Sequence, residues 1–271
     1  MLHLMRKPQP GIRLLLSIVA ISIVAGLSTG CTKHNSETLY ATADSGKLRL
    51  HIHTYLDTTE VNAYNKLYTL ATGRQISFSL AQFWVSGIEM IKQDGTAVRV
   101  PGLLLKTLGK EQYEIGPLPV GAYRSIRFLV GFDSTDYLQQ RLRDSFARHS
   151  EMAIPRSGTL PETNAFLVAQ GSIDTSVSGA SSSASMQPFS FRIGGQSRYK
   201  VISMRDHNTI YNVSKGNIRE VHFWLDYARL FDGLVLNNVA NLQVLSANSN
   251  DKPRADSIAN NLTGAFDYED E

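Results

Sequence analysis

The feature that most constrains this chain is a succession of short runs in which apolar and polar residues alternate, each closed by turn-forming residues. "KLRLHIHTYL" (47–56) is the first, and its period of two puts Leu48, Leu50 and Ile52 on one face of a strand. His51, His53 and Tyr55 then share the other face. "QISFSLAQFWVSGIEMIK", "TAVRVPGLLLK", "YRSIRFLVGF", "PFSFRIGG" and "IREVHFWLDYARLF" continue the pattern, divided by "QDGT", "GPLPVGAY" and "DHNT". Such spacing predicts an all-β fold, an antiparallel β-sandwich of Ig-like or jelly-roll-like type with one or two short helices. The helical candidates are "DYLQQRLRDSFARH" (136–149), with Leu138, Leu142 and Phe146 at helical spacing, and "PRADSIANNLTGAF" (253–266). The Ser-rich stretch 174–187 reads as a surface loop between strands.

The first thirty residues set the expected compartment. Arg6, Lys7 and Arg13 precede the apolar run "LLLSIVAISIVAGL", which is shorter than the roughly 20 residues a spanning helix needs. A basic start, a short apolar segment and small residues describe a signal peptide over 1–30. Leu27-Ser28-Thr29-Gly30 before Cys31, the single cysteine, resembles a lipobox. Cys31 is thus expected to carry diacylglycerol as the first mature residue, anchoring the protein to a membrane of the cell envelope. The outer membrane is the expected location, facing either the periplasm or the cell surface. Residues 31–46 read as a flexible tether and 47–271 as one β domain. Losing three basic residues with the signal turns 27 Lys+Arg against 24 Asp+Glu into 24 against 24. A neutral mature chain without a basic patch argues against nucleic-acid binding.

Sequence signatures of catalysis are lacking: G-x-S-x-G, a Walker loop and H-E-x-x-H do not occur, so no enzymatic activity is expected. Asp133 and Asp136 in "DSTD" lack the glycine and distal glutamate of a calcium loop. The histidines of interest are His51, His53 and His222, all in predicted strands, while His149 and His207 fall in predicted loops. In "VHFWLDY", His222 and Trp224 share a face with Asp226. Paired imidazoles on one strand face suit a soft or borderline metal ion, and they equally suit the wet side of an ordinary strand. In the second case Trp84 and Trp224 are the candidate contacts for a glycan or a protein partner.

Several segments, taken in order, resemble the MbnP-like family, whose founding members are periplasmic copper-binding proteins. They are "FSLAQFWVSGIEMIKQDGTAV" (78–98), "LPVGAYRSIRFLVGFDS" (118–134) and the His-containing "VHFWLDYARLFDG" (221–233). The closing "ADSIANNLTGAFDY" (255–268) is similar to the tail of lipoprotein members from the Bacteroidetes group. The resemblance implies a β-sandwich and a copper ion, with His51 and His53 as ligands and His222 as the third. Two departures stand against it. The region 151–171 lacks the tryptophan-rich stretch common in the family, and Arg192 stands where many members place a histidine. An arginine stays protonated and cannot ligate a metal. A copper-handling lipoprotein and a non-metal surface binding module are therefore the two readings taken forward.

Overall fold

A computed structural model describes residues 44–133, 148–154, 164–176, 185–207 and 210–269. The signal segment, Cys31 and the tether up to residue 43 lie outside these, as does almost all of the helical candidate 136–149. No helix among the described residues is long and apolar enough to cross a membrane. In chain order the strands are β1 (Ser45–Leu56), β2 (Thr59–Glu60), β3 (Tyr68–Thr69), β4 (Gln75–Lys92) and β5 (Ala97–Val100). Next come β6 (Leu104–Thr107), β7 (Gln112–Pro119), β8 (Gly121–Val130), β9 (Ala165–Asp174) and β10 (Met186–Gly194). The last are β11 (Lys200–Ser203), β12 (Tyr211–Val213), β13 (Ile218–Asp226), β14 (Gln243–Leu245) and β15 (Phe266–Tyr268). One α-helix, α1 (Lys252–Asn261), precedes β15.

The strands form two sheets, and the fold is the expected all-β sandwich. The smaller sheet runs β15-β13-β1-β2, with β7 also paired to β1. The larger runs β11-β8-β4-β9-β10-β14, with β12 on β8 and β3, β5 and β6 on β4. Most pairs are antiparallel. Two are not: β1 lies parallel to β13, and β10 parallel to β14.

Alternation along β1 and β13 decides what lies between the sheets. Leu48, Leu50 and Ile52 are buried, as are Val221, Phe223 and Leu225 on β13. Phe223 stacks on Phe128 of β8 at 5.4 Å, and Phe128 and Phe83 meet Phe266 edge-on. Burying each such side chain contributes about 1.5–3 kcal/mol, so truncating Leu50 to Ala would cost about 2–5 kcal/mol. The residues between them in sequence face away from this core.

The long strand β4 crosses the middle of the larger sheet and bends at Gly87, where the register with β8 slips between Ser86 and Glu89. Gly87 has φ +55°, a conformation that L side chains resist. At the end of β13 the Asp226 carboxylate accepts from the Ala228 and Asp57 backbone N–H groups, capping the turn that follows. The C-terminal helical candidate is confirmed as α1, which starts with a proline in its first turn and buries Ala255, Ile258 and Ala259. The Ser-rich stretch joins the antiparallel pair β9 and β10, with 177–184 outside the described residues.

Candidate metal centre

The outward face of the smaller sheet carries the candidate site. Parallel pairing sets His51 opposite His222 and His53 opposite Trp224. Because β1 and β13 alternate in phase, all four side chains emerge on the same face. The His51 ring lies 4.4 Å from the His53 ring and 4.7 Å from the His222 ring, centroid to centroid. One nitrogen from each of the three lies within 4.8 Å of the others. The side chains are 17%, 18% and 24% exposed, so the cluster is sheltered yet reachable from solvent.

Four glutamates surround the imidazoles. Glu111 Oε2 is 3.4 Å from His51 Nε2, and Glu269 Oε2 is 3.4 Å from His53 Nε2 and 3.8 Å from His222 Nδ1. Glu220 Oε2 is 3.2 Å from His222 Nε2. Glu60 Oε1 is 3.5 Å from His53 Nδ1, a contact without hydrogen-bond geometry. Arg49, one turn of the pleat along β1, donates to Glu220 at 2.7 Å and to Glu114 at 3.1 Å. The Arg49 hydrogen bond holds the Glu220 carboxyl below the usual carboxylate range. Burial, and then the charges of Glu269, Glu60 and Glu111, push the Tyr55 phenol up. The face is therefore locally anionic although the chain as a whole is not.

Two buried nitrogens in this cluster lack a hydrogen-bond partner: His51 Nδ1 and His53 Nδ1. A buried imidazole nitrogen without a partner forgoes a hydrogen bond it would make in water, and it keeps a lone pair free for a ligand. Beside the cluster, Trp224 meets Tyr55 edge-on at 6.1 Å, and the two line a cleft of about 240 Å³ with Asp57, Thr58, Tyr268 and Glu269.

The other residues of interest lie elsewhere. Trp84 is buried, 2% exposed, on the larger sheet, where its ring meets Phe132 and His149. The residues of β4 from 81 to 86 are all buried, and Trp84 lines a cleft of about 440 Å³ with Leu103, Thr107, Tyr113 and His149. His149 Nδ1 lies 2.8 Å from Glu151 Oε1. His207 packs against Tyr211 and Tyr268. Asp133 is bridged to Arg99. Arg192 sits on β10, donating to the Glu151 and Ala153 backbone carbonyls. Because β10 belongs to the larger sheet, an arginine at 192 removes nothing from the histidine cluster. The four glutamates escape a sequence reading based on histidine spacing; Glu220, two residues before His222 on the same strand face, had a visible signal.

Fold and cluster together define a β-sandwich domain with a side-chain set able to hold a metal ion. The family model MbnP matches residues 45–249, and the chain belongs to the MbnP family. MbnP is a non-catalytic binding domain, which agrees with the reading of the sequence that expects no enzymatic activity. Among solved structures, MbnP from Methylosinus trichosporium is similar with a TM-score of 0.42 and 14% identity, over 69% of this chain and 78% of that one. Comparison with curated proteins gives no match.

Proposed function

We propose that the domain binds copper as cargo on His51, His53 and His222. The observation that carries this reading is the pair of buried nitrogens without a hydrogen-bond partner on His51 and His53, within a group of three imidazoles. Neutral imidazole suits copper, and Cu(I) tolerates a two- or three-coordinate set of nitrogens where Zn(II) favours four ligands. Glu220 holds one nitrogen of His222 and so fixes the ring for coordination by the other, the usual role of a carboxylate behind a metal-bound histidine. Family membership and the resemblance to copper-binding members support the same choice of ion.

The setting proposed is an exported lipoprotein of the kind found in Bacteroidetes, anchored by acyl chains on Cys31 and facing the periplasm or the cell surface. Changing Cys31→Ser should move the protein from membranes to the soluble fraction; retention on membranes would defeat the anchor. For copper, the purified chain is titrated with Cu(I). His51→Ala with His53→Ala should abolish binding and His222→Ala should weaken it, while His149→Ala and His207→Ala leave it unchanged. Binding by the double variant equal to the parent's would sink the copper reading. The second reading, a surface module for a glycan or a protein, would then rest on the cleft between Trp224 and Tyr55.

A further inference from the structure

The two flanks of β1 differ in donor chemistry, and His53 stands between them. On the β13 flank its neighbours are Trp224, opposite in register, and His222, one pair back. On the other flank β7 pairs with the first half of β1 and β2 with its end. Glu111, just before β7, accepts the Ile52 backbone N–H at 2.9 Å through its own backbone carbonyl, and Glu60 of β2 lies opposite Tyr55. The β13 flank adds an imidazole, His222, to the carboxylates of Glu220 and Glu269, whereas the other flank offers carboxylate oxygen alone.

We propose a second metal position on the carboxylate side, formed by His53, Glu60 and Glu111 and suited to a borderline divalent ion such as Zn(II). One ligand atom from each of the three lies within 4.8 Å of the others. A tetrahedral ion with bonds of about 2.0–2.2 Å sets its ligands about 3.5 Å apart, so side-chain rotations that move a ligand atom by roughly 1 Å close the set. Neither carboxylate has a lysine or arginine in direct contact among the described residues, although the charge of Glu111 reaches buried Lys106. Arg49 engages Glu114 and Glu220, but among the described residues no lysine or arginine bridges Glu60 or Glu111. The His53 nitrogen nearest Glu60 is the buried Nδ1 that lacks a hydrogen-bond partner. A neutral imidazole with two carboxylates is a donor set for Zn(II), with water completing the tetrahedron, and a poor one for Cu(I).

Sharing His53 has a consequence that rests on the copper reading. A neutral imidazole offers one lone pair, because its other nitrogen carries the proton. The nitrogen-side ion and the carboxylate-side ion therefore cannot both take His53. Copper arriving on the nitrogen side displaces the ion on the oxygen side, which makes the face an exchanger rather than a two-ion store.

The purified full chain tests this with Zn(II) alone, Cu(I) alone, and Cu(I) added to the Zn(II)-loaded protein. Glu111→Gln, which also removes the carboxylate paired with His51, should weaken both ions; Glu60→Gln should weaken Zn(II) by about 10-fold or more and leave Cu(I) within about twofold. His222→Ala should do the reverse. Added Cu(I) should release bound Zn(II). Unchanged Zn(II) affinity in the Glu60→Gln variant overturns the second position. Simultaneous retention of both ions overturns the sharing of His53. A parent that binds Zn(II) through Glu60 and Glu111 but fails to bind Cu(I) supports the second position and defeats the copper reading alone.

Discussion

Two corners of the molecule bring histidine, tryptophan and glutamate together, and they are built for different ends. Around His51 three imidazoles converge, and two of their buried nitrogens have no hydrogen-bond partner. Around Trp84 a single histidine is engaged by Glu151, which also accepts from Gln82 at 3.1 Å, while Arg192 ties down the backbone on either side of Met152. Burial pushes the Glu151 carboxyl up, but hydrogen bonds from its own backbone N–H, from His149 and from Gln82 outweigh that and hold it below the usual range. The second corner is saturated in its histidine and carboxylate groups, which engage each other; the first has left imidazole lone pairs over. Residue types alone do not make a binding site: the free valence does.

The sharpest way to break this contrast is His53→Ala. Because His53 belongs to both proposed positions, its loss should weaken Cu(I) and Zn(II) together, on the order of 100-fold, by competition titration. Equal affinities in parent and variant would remove the distinction between the corners. Glu220→Gln comes next, with an expected loss of about 10-fold in Cu(I) affinity, because His222 loses the anion that orients it. The same carboxylate has its pKa lowered by Arg49, so its contribution to stability is present above the unfolded glutamate value and fades as pH falls through the folded one. Arg49→Gln should flatten that part of the thermal-stability profile at acid pH.

Beneath the saturated corner, on the strand beside Trp84, Lys106 is fully buried and donates to the Thr107 and Lys110 carbonyls. Burial lowers its pKa to about 7. Between pH 7 and the ordinary lysine value the unfolded chain binds more protons than the folded one, so stability should rise with pH across that window. Lys106→Met should flatten the rise in melting temperature; a profile as steep as the parent's would show that the ammonium is not the source. The smallest effect is expected of Arg192→His. If the saturated corner takes no part in binding, Cu(I) affinity should stay within about twofold, and a large gain would give that corner a role in the metal site.

Much of this was legible in the chain. The alternation of "KLRLHIHTYL" separated the buried leucines from the outward histidines, and "VHFWLDY" placed His222 and Trp224 together on one face. The parallel register that sets His51 beside His222 was not legible, because strand pairing is chosen by the packing of the whole sandwich and leaves no local mark. The glutamates were hidden for a related reason: Glu60, Glu111 and Glu269 come from three separate segments, and acidic residues are ordinary on any wet face. Arg192 misled through the family pattern, since an absent histidine at one position says nothing about a cluster on the opposite sheet.

Arg49 and Glu220 touch across β1 and β13 although 171 residues separate them. The first strand of the domain and one of its last must therefore meet before any imidazole cluster exists. Closing so long a loop adds little to the equilibrium cost, which grows only with the logarithm of length, but such distant contacts form late in folding. An unfolded chain carries His51 and His53 two residues apart but no His222 beside them; only the finished domain has three together. Metal loading at that cluster would then certify completed folding. Any ion bound there holds the two ends of the domain against unravelling by RT ln(1 + [L]/Kd).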